Sequence, residues 1–373
     1  MSESLQYRPF QEGDEDQIVE LLTTCFKDWP GIDLEQSPLD HWYWKYSENK
    51  VLSQIISVAL EGEHIVGVNH SYLKKMKIFD SPKLCRYAAD TAVHPDYRRR
   101  GIYNKLIELS NIYAGKPGTD IVYYVSSNPV LVDKWSKTRQ SFPYNVLNLV
   151  WIDDVDRQLE VMPMKYPYLV KTGVKGLQAF KKLRETLSKE PETRPCVINK
   201  VTSFDQRIGS FWEKIDYHYR FITIRNRDYL NWRFCDPRAG RYHIFQAEEN
   251  GEIQGYISLF VNRLNKKYPI GFIADLLTLP EKKGVTESLI MNALEFFKEN
   301  QVNIINCQVV QGHSNENALK KLGFLDTRIR LHLFYRNYKE LDPVKKLLDT
   351  TPDMMHFNYS DIDSMPTNPP KAR

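Results

Sequence analysis

The segment VHPDYRRRGIYNKL, residues 93–106, sets Arg98, Arg99 and Arg100 directly before Gly101. It then places Ile102, Leu106, Leu109 and Tyr113 at helical spacing. The apolar residues ahead of Pro95 read as the end of a strand, and Gly115 and Pro117 read as the stop of the helix. A strand that turns tightly into a helix leaves the first helical amides without acceptors, with the positive end of the helix dipole behind them. Arginines are poor neighbours for that positive end unless an anion sits among them. Gly101 removes a Cβ where a ligand would touch backbone. The chemistry these residues suit is the cradling of a phosphate or pyrophosphate. Three arginines in isolation read first as a solvated turn; here the strand, the helix and a larger pattern decide for the anion.

Few other residue sets suit chemistry. The nine histidines show no metal-ligand spacing, and His94 reads as a surface residue of the turn. Five cysteines, at 25, 85, 196, 235 and 307, are scattered without a CxxC pair, which fits reduced thiols and no metal site. With 51 basic against 47 acidic residues the net charge is +4, too small to mark a nucleic-acid binder. No apolar run is long enough for membrane insertion, and MSESLQYRPF lacks a signal-peptide pattern. The expected setting is cytoplasmic. A chain of 373 residues exceeds one ordinary core, so two domains are expected.

The elements that must hold the glycine turn occur twice. Asp14 stands before a helix with the stripe Ile18, Leu21, Leu22 and Cys25. Ser203 and Gln206 form a capping-box pattern before Ile208, Phe211, Trp212 and Ile215. WKYSEN at Trp44 matches WRFCDP at Trp232, Gly67 matches Gly255, and AADTAVHP (88–95) matches IADLLTLP (273–280). The offsets stay at roughly 185 to 190 residues throughout, which indicates an internal duplication. Each unit reads strand, helix, an aromatic-rich stretch and three strands, then helix, strand, helix and a final strand pair. The aromatics of HWYWKY and YLNWRF are expected to pack between helix and sheet. The fold class is α+β, with a central mixed sheet flanked by helices in each of two tandem domains. The boundaries are 1–153, a helical connector over 154–196, 197–340, and an extension over 341–373. In that extension MMHFNYSDIDSM folds back, whereas PTNPPKAR reads as disordered.

VHPDYRRRGIYNKL resembles the acetyl-coenzyme A motif of the GNAT superfamily of N-acetyltransferases, Gln/Arg-x-x-Gly-x-Gly/Ala after a strand ending in Val-x-Pro. Arg98 fills the first slot and Gly101 the central one, while Tyr103 departs from the Gly or Ala usual in the last. The likeness covers 1–153 well and 197–336 loosely. It implies a two-domain GNAT-like fold and acetyl-CoA as co-substrate. Backbone around Ala92 and Val93 would pair with the pantetheine arm. The amides of Arg98, Arg99, Arg100, Gly101, Ile102 and Tyr103 would hold the pyrophosphate, and Asn128 would cap its helix or touch the coenzyme. The family often sets a carboxylate on the preceding strand. Asp90 stands there, where desolvation would raise its pKa and suit it to proton transfer or to binding the substrate amine. Asp275 at the matching place of the second copy leaves a structural role as the alternative. The family's acidic tyrosine has no counterpart, because that position holds Trp135; water or a tyrosine elsewhere, Tyr124 or Tyr144, would take its place.

The second copy departs from the motif. PEKKGVTESL is shorter before Gly284, lacks the arginines and places Glu281 where an anion would bind. The first copy is therefore expected to hold the coenzyme. The function expected is transfer of an acetyl group from acetyl-CoA to a primary amine of a small molecule, such as an amino sugar, or of a peptide. The alternatives are an aminoacyl-tRNA-dependent transferase of the same tandem fold and a non-catalytic CoA-binding scaffold.

Overall fold

The computed structural model describes residues 4–27, 29–48, 51–115, 118–161, 196–264, 269–280, 282–338 and 344–362. Most of the 154–196 connector, Glu281 and the end of the C-terminal extension lie outside the described residues. The first copy runs β1 (Gln6–Pro9), α1 (Glu15–Phe26), α2 (Pro38–Trp42) with a π-helical turn (Tyr43–Ser47), then β2 (Ser53–Glu61), β3 (His64–Ile78) and β4 (Ser81–Val93). It continues with α3 (Ile102–Gly115), β5 (Ile121–Ser126), α4 (Pro129–Ser136), β6 (Gln140–Ser141), β7 (Val146–Ile152) and α5 (Val155–Val161). The second copy opens with β8 (Val197–Val201), α6 (Arg207–His218), β9 (Phe221–Thr223), α7 (Arg227–Phe234) and β10 (Tyr242–Glu249). Then come β11 (Glu252–Asn262), β12 (Ile270–Thr278), α8 (Lys283–Glu299), β13 (Ile304–Val310), α9 (Ser314–Lys321) and β14 (Leu325–Asn337).

The helical stripes are buried as their spacing requires: Ile18, Leu21 and Leu22 in α1, and Ile208, Phe211 and Ile215 in α6. They join one apolar cluster that also takes in Trp42, Tyr46, Val58, Tyr256 and Leu277, so the two copies share a core. The expected caps differ. The Asp14 carboxylate accepts from Arg8 at 2.7 and 2.8 Å and from the Gln11 amide, rather than capping α1. At α6 the Ser203–Gln206 box is absent, because Asp205 takes the Arg207 amide at 2.8 Å and its guanidinium. A carboxylate beside an arginine outcompetes a neutral hydroxyl for the free amides.

The sheets of the copies are merged. Strand order is β1-β2-β3-β4-β5-β14-β7-β13-β12-β11-β10-β8, with β6 on β14 and β9 on β3. Each copy was expected to end in its own strand pair, yet each supplies one long strand to the other. β14 lies antiparallel to β5 (His332↔Ser126 to Asn337↔Ile121) and β7 to β13 (Val146↔Val310 to Ile152↔Ile304). The exchange leaves no open edge at the junction, where an unpaired strand would invite aggregation.

The duplication appears as a local two-fold contact. Trp44 and Trp232 stack with centroids 5.0 Å apart at 18°. Trp44 Nε1 donates to the Trp232 carbonyl (3.0 Å), and Trp232 Nε1 donates to the Trp44 carbonyl (3.3 Å). Equivalent residues contacting each other reciprocally are the mark of an isologous interface.

The C-terminal segment folds back as expected. Asp361, without solvent exposure, accepts from Arg225 Nη2 at 3.1 Å and from Thr223 Oγ1 at 2.6 Å. Among the described residues no helix is long and apolar enough to cross a membrane.

Candidate active site

The glycine turn sits where the sheet opens. β4 pairs in parallel with β5 only at Cys85↔Ile121, Arg86↔Val122 and Tyr87↔Tyr123, although β4 continues to Val93 and β5 to Ser126. On its other side β4 stays paired to β3 as far as Val93↔Gly67, with an irregularity opposite residues 68–70. There Asp90 takes a positive φ of 32°. A bulge of this kind bends the strand and re-aims a side chain. Residues 88–93 thus face β5 across a widening gap.

Gly67 brings α3 onto that end of the sheet. A Cβ there would lie 2.8 Å from Ile102 Cγ2 and 3.2 Å from Leu106 Cδ1, so only glycine allows the helix this close. Ile102 and Leu106 are buried against it, at about 1.5–3 kcal/mol each. Gly101 turns the chain with φ +80°, and its missing Cβ would face open space. Among the described residues no acceptor is in reach of the amides of residues 99–104. The residues present therefore fit a diphosphate.

The arginines divide their work. Arg98 Nε donates to the Val93 carbonyl (3.3 Å) and braces the turn, so that this carbonyl is already engaged. Arg99 is exposed and adopts φ +65°. Arg100 stacks on Tyr97 at 4.8 Å and lies 3.7 Å from Glu61. Ala92 is buried in β4. Tyr103 is 50% exposed, so its ring does not point into the core. Asn128 caps α4 by accepting from the Val130 amide at 2.9 Å.

Asp90 differs from expectation in its electrostatics. Its Oδ2 accepts from Lys45 Nζ at 2.8 Å and Tyr46 Oη at 2.7 Å, with 17% of the side chain exposed. Burial by itself raises this carboxyl, but the Lys45 ammonium and the two hydrogen bonds outweigh it and hold its pKa well below the usual range. The expected upward shift is corrected: Asp90 is a fixed anion. Sequence reasoning missed the partners. Lys45 and Tyr46 lie in the π-helical turn of the aromatic stretch, a signal that pattern reading assigned chiefly to packing.

Two buried imidazoles complete the surroundings. His70 Nε2 accepts from Trp42 Nε1 (3.0 Å), so Nδ1–H donates to the Asp90 carbonyl (2.9 Å). Burial lowers its pKa to about 4. His41 donates Nδ1–H to the Arg238 carbonyl (2.7 Å), leaving Nε2 as an acceptor with no partner among the described residues. Burial lowers its pKa to about 3. Trp29, His41, Trp44, Lys45, Asp90 and Arg233 line a cavity of about 40 Å³ between the copies. The substitute acids stand elsewhere. Tyr144 donates to the Thr350 carbonyl (2.5 Å), and Tyr124 lies under Arg139 at 4.0 Å. Trp135 packs on Tyr124 and Phe334.

In the second copy β12 and β13 part after Ile273↔Cys307, but the place is differently furnished. Gly284 lies inside the first turn of α8 without a positive φ. Asp275, the counterpart of Asp90, is wholly buried. It accepts from Arg225 Nε (2.8 Å), Tyr256 Oη (2.8 Å), Asn358 Nδ2 (2.6 Å) and His356 Nε2 (3.0 Å). It is a structural carboxylate.

Comparison with known proteins agrees with this geometry. Residues 6–134 match the family model described as acetyltransferase (GNAT) domain, and residues 209–324 match acetyltransferase (GNAT) family. No curated sequence matches the chain. Among solved structures the chain is similar to Saccharomyces cerevisiae N-myristoyltransferase with bound myristoyl-CoA, at TM-score 0.61 and 11% identity over 92% of this chain and 85% of that one. It is also similar to a probable N-acyltransferase of Enterococcus faecalis V583 (TM-score 0.60, 9% identity, 90% and 72% covered). A GCN5-related N-acetyltransferase of Anabaena variabilis gives TM-score 0.57 at 13% identity, with 90% and 73% covered. At these identities the likeness speaks for the fold. The split sheet, the glycine turn at its open end and a family match in each half together make the chain a member of the GNAT superfamily with two tandem domains.

Proposed function

We propose that the protein is an N-acyltransferase whose first copy binds acetyl-CoA and transfers the acetyl group to a primary amine of a small molecule or peptide. The observation that carries this reading is the row of amides over residues 99–104, held at the open end of β4 and β5 by Gly101 and by α3 packed on Gly67. The second copy, with its glycine inside a helix and its cleft partly taken by the C-terminal segment, supports assigning the coenzyme to the first.

The bound thioester supplies the acyl group. The chain's own contribution is placement and charge. Backbone over residues 99–104 would hold the diphosphate, the expected Arg98 amide being already bonded to the Pro95 carbonyl (3.3 Å), and the unpaired edge of β4 near Ala92 lines the arm. Asp90, kept ionised by Lys45 and Tyr46, favours the positive charge that grows on an attacking amine. It is a poor proton acceptor for the same reason. His41 presents Nε2 to the cavity as a hydrogen-bond acceptor for the amine N–H. The proton then leaves through water, since the described residues offer no tyrosine at the position of Trp135.

Incubation with acetyl-CoA and a panel of amines, read as free thiol released, tests the reading. Release above the amine-free blank for any acceptor excludes a scaffold. Coenzyme binding without release for every amine would favour it, and tight binding of charged tRNA without coenzyme binding would favour aminoacyl transfer.

A further inference from the structure

The duplicated aromatic stretch builds an asymmetric cavity. HWYWKY and YLNWRF align residue for residue, so that Trp44 meets Trp232 in the stack and Lys45 corresponds to Arg233. Both cations line the cavity of about 40 Å³ between the copies, and both have partners. Lys45 Nζ donates to Asp90 Oδ2 at 2.8 Å. Arg233 Nη1 donates to Tyr242 Oη at 2.8 Å, and its guanidinium lies 5.3 and 5.4 Å from the rings of Tyr242 and Phe234. The symmetry breaks at the first position of the stretch. His41 lines the cavity, whereas its counterpart Tyr229 is buried and donates to the Ser360 carbonyl (3.4 Å).

What this wall leaves unmet is acceptor capacity. His41 is 4% exposed; its Nδ1–H is on the Arg238 carbonyl, and its Nε2 has no partner among the described residues. The bonds from Lys45 and Tyr46 both fall on Asp90 Oδ2, and Oδ1 has no donor among the described residues. Enclosed acceptors without donors are costly. Two of them on one small cavity suit a group with two N–H bonds, which an amine has and a hydroxyl lacks. Size then selects the carbon that carries the nitrogen. The volume of about 40 Å³ exceeds the roughly 30 Å³ share of one water but is far below the roughly 150 Å³ of a cavity that takes a benzene ring. An amino group and one methylene fit, with Trp29, Ile32 and Ile362 as the apolar part of the wall.

We infer that this cavity takes an unbranched aliphatic amine, R–CH2–NH2, and excludes amines on branched or ring carbons, amino sugars included. The inference rests on the acyl-transfer reading above, whose acceptor end it specifies. Saturation-transfer NMR of the full chain with n-butylamine and sec-butylamine, isomers that differ in branching alone, tests it by binding. The straight isomer should bind at least about tenfold more tightly, the usual effect of one misplaced methyl group in a pocket. His41→Asn keeps an N–H for the Arg238 carbonyl and removes the Nε2 acceptor. It should weaken n-butylamine about threefold to tenfold and shrink the isomer ratio, with acetyl-CoA affinity retained. Should that variant not fold, the isomer comparison on the parent decides. Equal affinity for the isomers overturns the inference. So does absence of n-butylamine binding both with and without coenzyme A, the result expected of a cavity that holds only water. A His41→Asn protein that binds acetyl-CoA and both isomers as the parent does places the amine elsewhere and also overturns it. The acyl-transfer reading fails separately, by absence of thiol release for every amine. Thiol release fastest with sec-butylamine or D-glucosamine keeps that reading and overturns this inference.

Discussion

Replacing Gly101 by glutamate separates the two copies most sharply. Gly101 has φ +80°, where an L-residue costs about 1–2 kcal/mol, and a Cβ there meets nothing within 4 Å. Gly101→Ala therefore tests conformation alone and should lower stability by about that amount, within the reach of a folded domain. The glutamate adds charge. A carboxylate about 4 Å from each of two phosphate charges is opposed by about 1 kcal/mol per pair in water and more where the ligand excludes solvent. Since Gly101 is exposed, the total is about 2–4 kcal/mol, or roughly thirtyfold to a thousandfold in acetyl-CoA affinity. Gly284→Glu places the same charge in the first turn of α8, exposed and without a left-handed backbone. It should be neutral or slightly stabilising there through the helix dipole, and coenzyme affinity should not change. Titration calorimetry at about 0.15 M salt measures all three, and repetition at about 1 M salt should shrink the glutamate effect but not the alanine effect. Equal losses from the two glutamates would refute the assignment of the coenzyme to the first copy. So would a Gly101→Glu protein that binds like the parent.

Asp90→Asn should leave acetyl-CoA affinity intact and lower kcat by about 2 kcal/mol, roughly thirtyfold, if the fixed charge acts on the attacking amine. A change in affinity with kcat preserved would contradict that role. His70, buried with its pKa lowered to about 4, binds its proton less readily when folded than the unfolded value of about 6.5. The unfolded chain then holds more protons below about pH 6.5, so the associated stability is full above that pH and is lost on descent towards 4. Acidification from about pH 7 to 5 should remove roughly 2 kcal/mol through His70 alone, read by urea denaturation, and a flat profile would argue against a neutral buried imidazole. Asp361→Ala leaves Arg225, fully buried, with one carboxylate fewer and should cost about 3–5 kcal/mol. An unchanged denaturation midpoint would show that the Asp361–Arg225 pair contributes nothing to stability.

Local chemistry was legible in the chain because it depends on neighbours in sequence. The α3 start at Gly101, the Asn128 cap, the stripes of α1 and α6 and the duplication all rest on spacing, which periodicity reports directly. The caps expected of Asp14 and of the Ser203–Gln206 box are absent, because Arg8 holds the Asp14 carboxylate and Asp205 takes the Arg207 amide. What tertiary structure alone decided was contact between distant segments. The exchange of β7 and β14 leaves no trace in composition, because either strand satisfies either partner's backbone. Lys45 and Tyr46 reach Asp90 across 45 and 44 residues, and this turned a carboxyl expected to have a raised pKa into a fixed anion. The equivalent Asp275 was buried by a C-terminal segment more than 80 residues further on. Sequence fixes which groups carry charge and where the backbone must turn; only packing fixes the solvent and partners each charge meets, and those set its protonation.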